Sequence, residues 1–244
     1  MADPRNRLGG VAVFVAFLAA CVPQVTAPPE IERRGPAEFP DAYYRGLQAQ
    51  GRPVFRVDPL RSLVVIEVGR DGSLAQFGHD HVVASHDVSG YISQDDGRAD
   101  LYVPLDALVV DEPALREEAG FDTQPSPADI AGTRRNMLER VLDTDRYRYA
   151  LIAVNAVGEG GSTRQIRAAI TLHGTTQFVD SAATLEKTAE DVFVTGTIAI
   201  DQSGFGIAPF SILGGAIAVR DRVNITFRIR ASRLEPPRSA ATGN

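Results

Sequence analysis

Apolar and polar residues alternate with a period of two through most of this chain, and that pattern constrains the fold more than any other feature. Ala99, Leu101, Val103 and Leu105 share one face, with Asp100 and Tyr102 on the other. Ile166, Ala168, Ile170 and Leu172 oppose Gln165, Arg167 and Thr171. Val192, Val194, Gly196, Ile198 and Ile200 repeat the pattern, and Val223, Ile225, Phe227 and Ile229 oppose Asn224, Thr226, Arg228 and Arg230. Each run reads as a strand with one buried and one wet face. Further strands are expected over 54–57, 63–68, 74–84, 88–93, 149–157 and 177–185. Many antiparallel strands with one apolar face each form a sandwich or a closed barrel, and the barrel removes the edges. One helix is expected to interrupt them: Ser126 caps it, Pro127 suits its first turn, and Ile130, Met137, Leu138, Val141 and Leu142 form its stripe. The stretch 111–124 ahead of it reads as acidic and irregular.

The ends of the chain carry different signals. Arg5 and Arg7, the apolar run 11–18 and Leu18-Ala19-Ala20-Cys21 read as a secretion signal over 1–20. The apolar run falls short of the roughly 20 residues a membrane-spanning helix needs. Cys21 is the only cysteine, so it has no intramolecular disulfide partner, and its place at the cleavage point predicts that it carries the lipid anchor of the mature protein. Val22 follows where an aspartate commonly retains such proteins on the inner membrane, so an outer-membrane lipoprotein facing the periplasm is expected. The proline-rich stretch 21–53 is expected to be an extended tether, 54–233 a single domain, and 234–244 a loose tail. Removing 1–20 takes away Asp3, Arg5 and Arg7, so the formal charge passes from −6 to −7. An acidic chain argues against nucleic acid or an anionic membrane surface as an electrostatic partner.

Catalytic signals are weak. The sequence holds no Gly-x-Ser-x-Gly elbow, no His-Glu-x-x-His and no phosphate-cradling glycine loop, so neither an enzyme nor a cofactor is expected. Lys187 is the only lysine, and Asp80, Asp87 and Asp201 are the carboxylates a general base would draw on. The four histidines fall in two places, His79, His81 and His86 together and His173 alone. His79 and His81 have the spacing of a metal site on one strand face, but a zinc or copper site needs a further ligand, with His173 or Asp80 the available residues. A metal-binding envelope protein using His79 and His81 is therefore one alternative to a lipid binder and a structural or stress lipoprotein with a dry core another, and polar residues at a barrel rim are the simpler account of the pair.

Two segments, Thr171-Leu172-His173-Gly174-Thr175-Thr176 and Ile198-Ala199-Ile200-Asp201-Gln202-Ser203-Gly204-Phe205-Gly206-Ile207, run an alternating strand into a glycine-bearing corner. With Phe55-Arg56-Val57-Asp58 near the start and the final strand 223–229, they resemble the polyisoprenoid-binding YceI-like family. Asp58 matches that family's aspartate after the first strand, Gly90 the glycine of its second hairpin, and Leu172-His173-Gly174-Thr175 its strand-corner signature. Tyr147-Arg148 stands where the family has Tyr-Pro, and Gly204 where an aspartate commonly precedes Phe-Gly; both departures lie at corners. The resemblance implies an exported, all-β, lipocalin-like antiparallel β-barrel with one inserted helix, holding an isoprenoid, a quinone-like molecule or another amphiphilic lipid.

From the residues alone, a dry packed interior and a ligand cavity are both permitted for a barrel of this size. The chain has no tryptophan and 7% aromatics, so inward-facing Val, Ile, Leu and Ala leave room, and the resemblance favours a cavity. Its lining is expected from Leu101 and Val103, Ile152 and Val154, Ile170 and Leu172, Ile198 and Ile200, and Ile225 and Phe227. The corner at Phe205 is expected beside it.

Overall fold

In the computed structural model, which describes residues 35–157 and 161–235, every alternating run is a strand. In chain order the elements are α1 (Asp41–Ala49), β1 (Val54–Val57), β2 (Leu63–Val68), β3 (Arg70–Asp71), β4 (His81–Ser85), β5 (Ser89–Ser93), β6 (Arg98–Pro104) and β7 (Val109–Val110). There follow α2 (Pro113–Glu118), α3 (Pro127–Asn136), β8 (Tyr149–Val157), β9 (Thr163–Leu172), β10 (Thr175–Lys187), β11 (Asp191–Asp201), β12 (Ser211–Ile212), β13 (Ile217–Val219) and β14 (Arg222–Arg233).

Strands β1, β5, β6, β8, β9, β10, β11 and β14 pair antiparallel in that order, and β14 pairs back onto β1, which closes the barrel. The long β14 meets β1 through Ala231–Arg233 and β2 through Asn224–Arg228. Beyond β2 the wall continues through β4 to the short β7. Next to β7 the wall passes to α3, whose Arg134 donates from Nε to the Leu108 carbonyl at 3.2 Å and from Nη2 to the Asp106 carbonyl at 2.6 Å. α3 starts where its sequence says: Ser126 Oγ accepts the Asp129 N–H, and the Asp129 carboxylate accepts the Ser126 N–H. It ends in a wide turn in which the Leu142 N–H reaches the Met137 carbonyl, five residues back, at 2.8 Å.

Expectations are corrected in three places. The first is the two ends of the expected domain: within the stretch 21–53, residues 41–49 form α1, whose Tyr44 and Leu47 are buried against Val54, with Tyr43, Tyr91 and Leu234 packed around them. Tyr43, Tyr44 and Leu47 form a helical stripe that the surrounding prolines obscure. The Tyr44 hydroxyl donates to Asp100 Oδ2 at 2.6 Å, and Arg98 Nε donates to the same oxygen at 2.7 Å. Tyr44→Phe removes a buried hydrogen bond to a charged acceptor and is expected to lower stability by roughly 1.5–3 kcal/mol. An unchanged urea midpoint would show that α1 is not anchored through that bond. At the other end, the Leu234 N–H donates to the Val54 carbonyl at 2.9 Å, so residue 234 belongs to the fold rather than to a loose tail. The signal 1–20, Cys21 and residues 236–244 lie outside the described residues.

The second correction concerns the strand expected over 74–84, which begins only at His81. Ala75–Phe77 forms a tight turn instead, and the Leu74 N–H is held by the Ala216 carbonyl at 2.8 Å. The third concerns 111–124, which contains α2. Its Leu115 packs against Val65, Val82 and Ala84 on the outer side of β2 and β4. A helix of this length carries too few apolar positions to show a period.

Candidate functional site

The barrel interior holds two packed clusters. Phe55, Val57, Val88, Ile92, Val103, Ile229 and Ala231 belong to the first, and Ala168, Ile170, Ile200, Phe205, Ile207 and Val223 form the second. Ile66, Val68, Leu142, Ile152 and Leu172 touch both clusters yet are only partly buried. They border a cavity of about 450 Å³, within the ~300–1,000 Å³ typical of small-molecule sites.

Leu101, Val103, Ile152, Val154, Ile170, Leu172, Ile198, Ile200, Ile225 and Phe227 all line this cavity. The barrel register brings them together, since Leu101 pairs with Ile152, Ile152 with Ile170, and Ile198 with Ile225. Phe205 is the exception. It is 1% exposed and packs in the second cluster instead, while its neighbour Ile207 reaches the cavity. Gly196 pairs with Phe227, and a Cβ at Gly196 would stand 2.5 Å from Phe227 Cζ, so the glycine makes room for the ring inside the wall.

Several lining residues were not foreseen from the alternation. Val64, Ile66 and Val68 of β2 and Val83 and Ser85 of β4 face the cavity. These strands are apolar on both faces, because Val65, Val82 and Ala84 are covered from outside by Leu115. Alternation disappears wherever both faces are buried. Met137, Val141 and Leu142, at the end of the α3 segment, also line the cavity.

The polar side chains on the cavity wall are His79, His81, Ser85, Thr133, Asn136 and Gln202. His81 is tied down: its Nδ1 lies 2.6 Å from Asp111 Oδ2. The Asp111 side chain is fully buried, and its Oδ1 accepts from the Val82 N–H at 3.1 Å and from Arg116 Nη1 at 2.6 Å. Arg116, itself buried, also donates to the Asp80 carbonyl at 2.6 Å and to the carbonyl and hydroxyl of Thr123. Burial pushes the Asp111 carboxyl up, but the bonds from His81, Val82 and Arg116 outweigh it and hold the carboxyl below its ordinary value. Asp111 has φ 57°, a left-handed conformation that Asp tolerates better than most residues, at the turn from β7 into α2.

The metal alternative finds no third ligand here. His86 Nε2 is 2.7 Å from Glu112 Oε1. His173 sits at φ 51° beside Gly174 at φ 75°, in the two-residue turn joining β9 to β10, with its ring 4.4 Å from that of Tyr147. Asp80 accepts the Arg70 backbone N–H at 2.8 Å and faces Arg70 Nε at 3.4 Å. Among the described residues no three His, Cys, Asp or Glu side chains group as a metal site.

No curated protein matches this chain. Among solved structures, a polyisoprenoid binding domain from Saccharophagus degradans is 15% identical, with a TM-score of 0.53 over 74% of this chain and 98% of its own. BcnA of Burkholderia cenocepacia is also 15% identical, with a TM-score of 0.50 over 71% of this chain and 98% of its own. Both share the barrel fold. The YceI-like domain matches residues 56–231, from β1 to β14 and so through the whole closed ring, and the chain therefore belongs to the YceI-like family.

Proposed function

We propose that the protein binds an isoprenoid or quinone-like lipid in the barrel cavity, as a carrier or store rather than as an enzyme. The observation that carries this reading is an apolar cavity of about 450 Å³ inside a YceI-like barrel. The relative from Saccharophagus degradans is described as a polyisoprenoid binding domain, which supports the same ligand class. Transfer of a hydrocarbon chain from water to such walls is favourable by about 25 cal/mol per Å² of apolar surface, so the tail binds without polar contacts. The test is organic extraction and mass spectrometry of the protein purified from its own cells, with reconstitution against isoprenoid quinones. Stoichiometric lipid in either experiment supports the reading; none in both means the cavity serves no such ligand.

The site of action proposed is the bacterial envelope, with residues 1–20 removed and a lipid on Cys21 holding the protein at the outer membrane, facing the periplasm. The motif Leu18-Ala19-Ala20-Cys21 supports it. Cys21→Ser is expected to abolish labelling by a fatty-acid probe and to impair removal of 1–20. Labelling equal to that of the parent would sink the anchor.

A further inference from the structure

The ring centroids of His79 and His81 are 6.2 Å apart on the wall of a mostly apolar cavity, which Thr133 and Asn136 of α3 also line. Their tautomers follow from what their other nitrogens do. With Nδ1 against the Asp111 carboxylate, the neutral form of His81 carries its proton there, which makes Nε2, on the far side of the ring, an acceptor. His79 Nδ1 is shielded and has no partner. A buried unpaired N–H is rarer than a buried unpaired acceptor, so His79 holds its proton on Nε2. The pair thus presents one donor and one acceptor, and the 6.2 Å between the ring centroids leaves room for a single oxygen to meet both rings.

Charge near the pair disfavours an anionic head. Asp80 lies between the two histidines in sequence, Asp111 is bonded to His81, and Asp129 is close enough to feel both rings. The two arginines beside them are engaged: Arg116 with Asp111, the Asp80 carbonyl and Thr123, and Arg70 with Asp80, Asp122 and the Gly78 carbonyl. Neither is left to hold a phosphate.

We infer that His79 and His81 form the head-group site of this cavity and that they take a hydroxyl, of a lipid alcohol, phenol or quinol. Its O–H is donated to His81 Nε2, and its oxygen accepts from the Nε2–H of His79. Asp111 acts as a positioning residue by fixing the His81 ring. This inference rests on the proposed lipid-binding role, and it adds the chemistry of the head.

Displacement of N-phenyl-naphthylamine from the purified protein tests it, with farnesol, farnesyl methyl ether and farnesyl phosphate as competitors. Farnesol is expected to bind about tenfold tighter than its ether, the scale of one or two hydrogen bonds. In His81→Phe, which removes the acceptor of the hydroxyl proton, that ratio is expected to fall to near one; in His79→Phe, which leaves the Asp111–Arg116 pair untouched, farnesol and its ether are both expected to weaken, because either oxygen accepts from the His79 Nε2–H. A farnesylated hydroquinone and its dimethyl ether, run in parallel, distinguish an aromatic from an aliphatic hydroxyl. Discrimination in at least one pair, lost in His81→Phe, supports the site. The inference is overturned if neither pair is discriminated, if His81→Phe leaves the ratio intact, if His79→Phe leaves both affinities unchanged, or if farnesyl phosphate is the tightest competitor. Failure of the fluorescent probe and every competitor to bind would instead remove the lipid-binding role beneath it.

Discussion

Replacing Ile152 with tryptophan is expected to leave the barrel folded and to cost it its lipid. Ile152 touches both interior clusters, is only partly buried, and stands between Leu101 and Ile170 on the cavity wall. A larger ring there extends into empty space, so it displaces ligand without compressing packed neighbours. Lipid recovered by extraction should drop at least about tenfold, with destabilisation below the roughly 1–3 kcal/mol that overpacking a filled core costs. Parent-level lipid in the variant would show that this space is not where ligand sits. A stability loss of several kcal/mol would mean that the wall closes over the space in solution.

Asp111→Asn carries the largest expected effect on stability. The substitution keeps the shape and suits the left-handed backbone at this position, but it strips the charge that partners a buried Arg116. Breaking a buried ion pair from one side leaves an uncompensated charge and costs about 3–5 kcal/mol. Urea titration at neutral pH checks it, and a loss under about 1 kcal/mol would refute the pairing as a structural element. The pH dependence has a definite sign. The folded-state pKa of Asp111 lies below the unfolded value near 3.9, so its contribution is fully present above about pH 4 and is lost as pH falls through the lower folded value. The Asn variant is expected to lack that component of the acid slope, so its deficit against the parent narrows on acidification.

Much of the barrel was legible in local sequence. Where one face of a strand is wet, alternation names the buried side, and Leu101, Ile152, Ile170, Ile198 and Ile225 were turned inward on that ground alone, while the cavity they line was expected from the family resemblance. The turn at His173-Gly174 and the capping box at Ser126 are equally local, since each depends on residues within a few positions. Phe205 packs beside the cavity rather than on its wall, because the turn of Gln202–Phe205 directs its ring into packed side chains.

Local sequence settled the long alternating strands and which face of each is buried, because those properties repeat along the chain with the period of the backbone. The tertiary structure alone decided the rest. It set the closure of β14 on β1, the docking of α1 through Tyr44 and Asp100, and the covering of β2 and β4 by Leu115, which erases their alternation. It also joined His81 to Asp111 across 30 positions, turning a histidine pair with no third ligand into an oriented polar site on an apolar wall. Contacts between distant segments depend on how layers stack and which charges become buried together, and no local period records either.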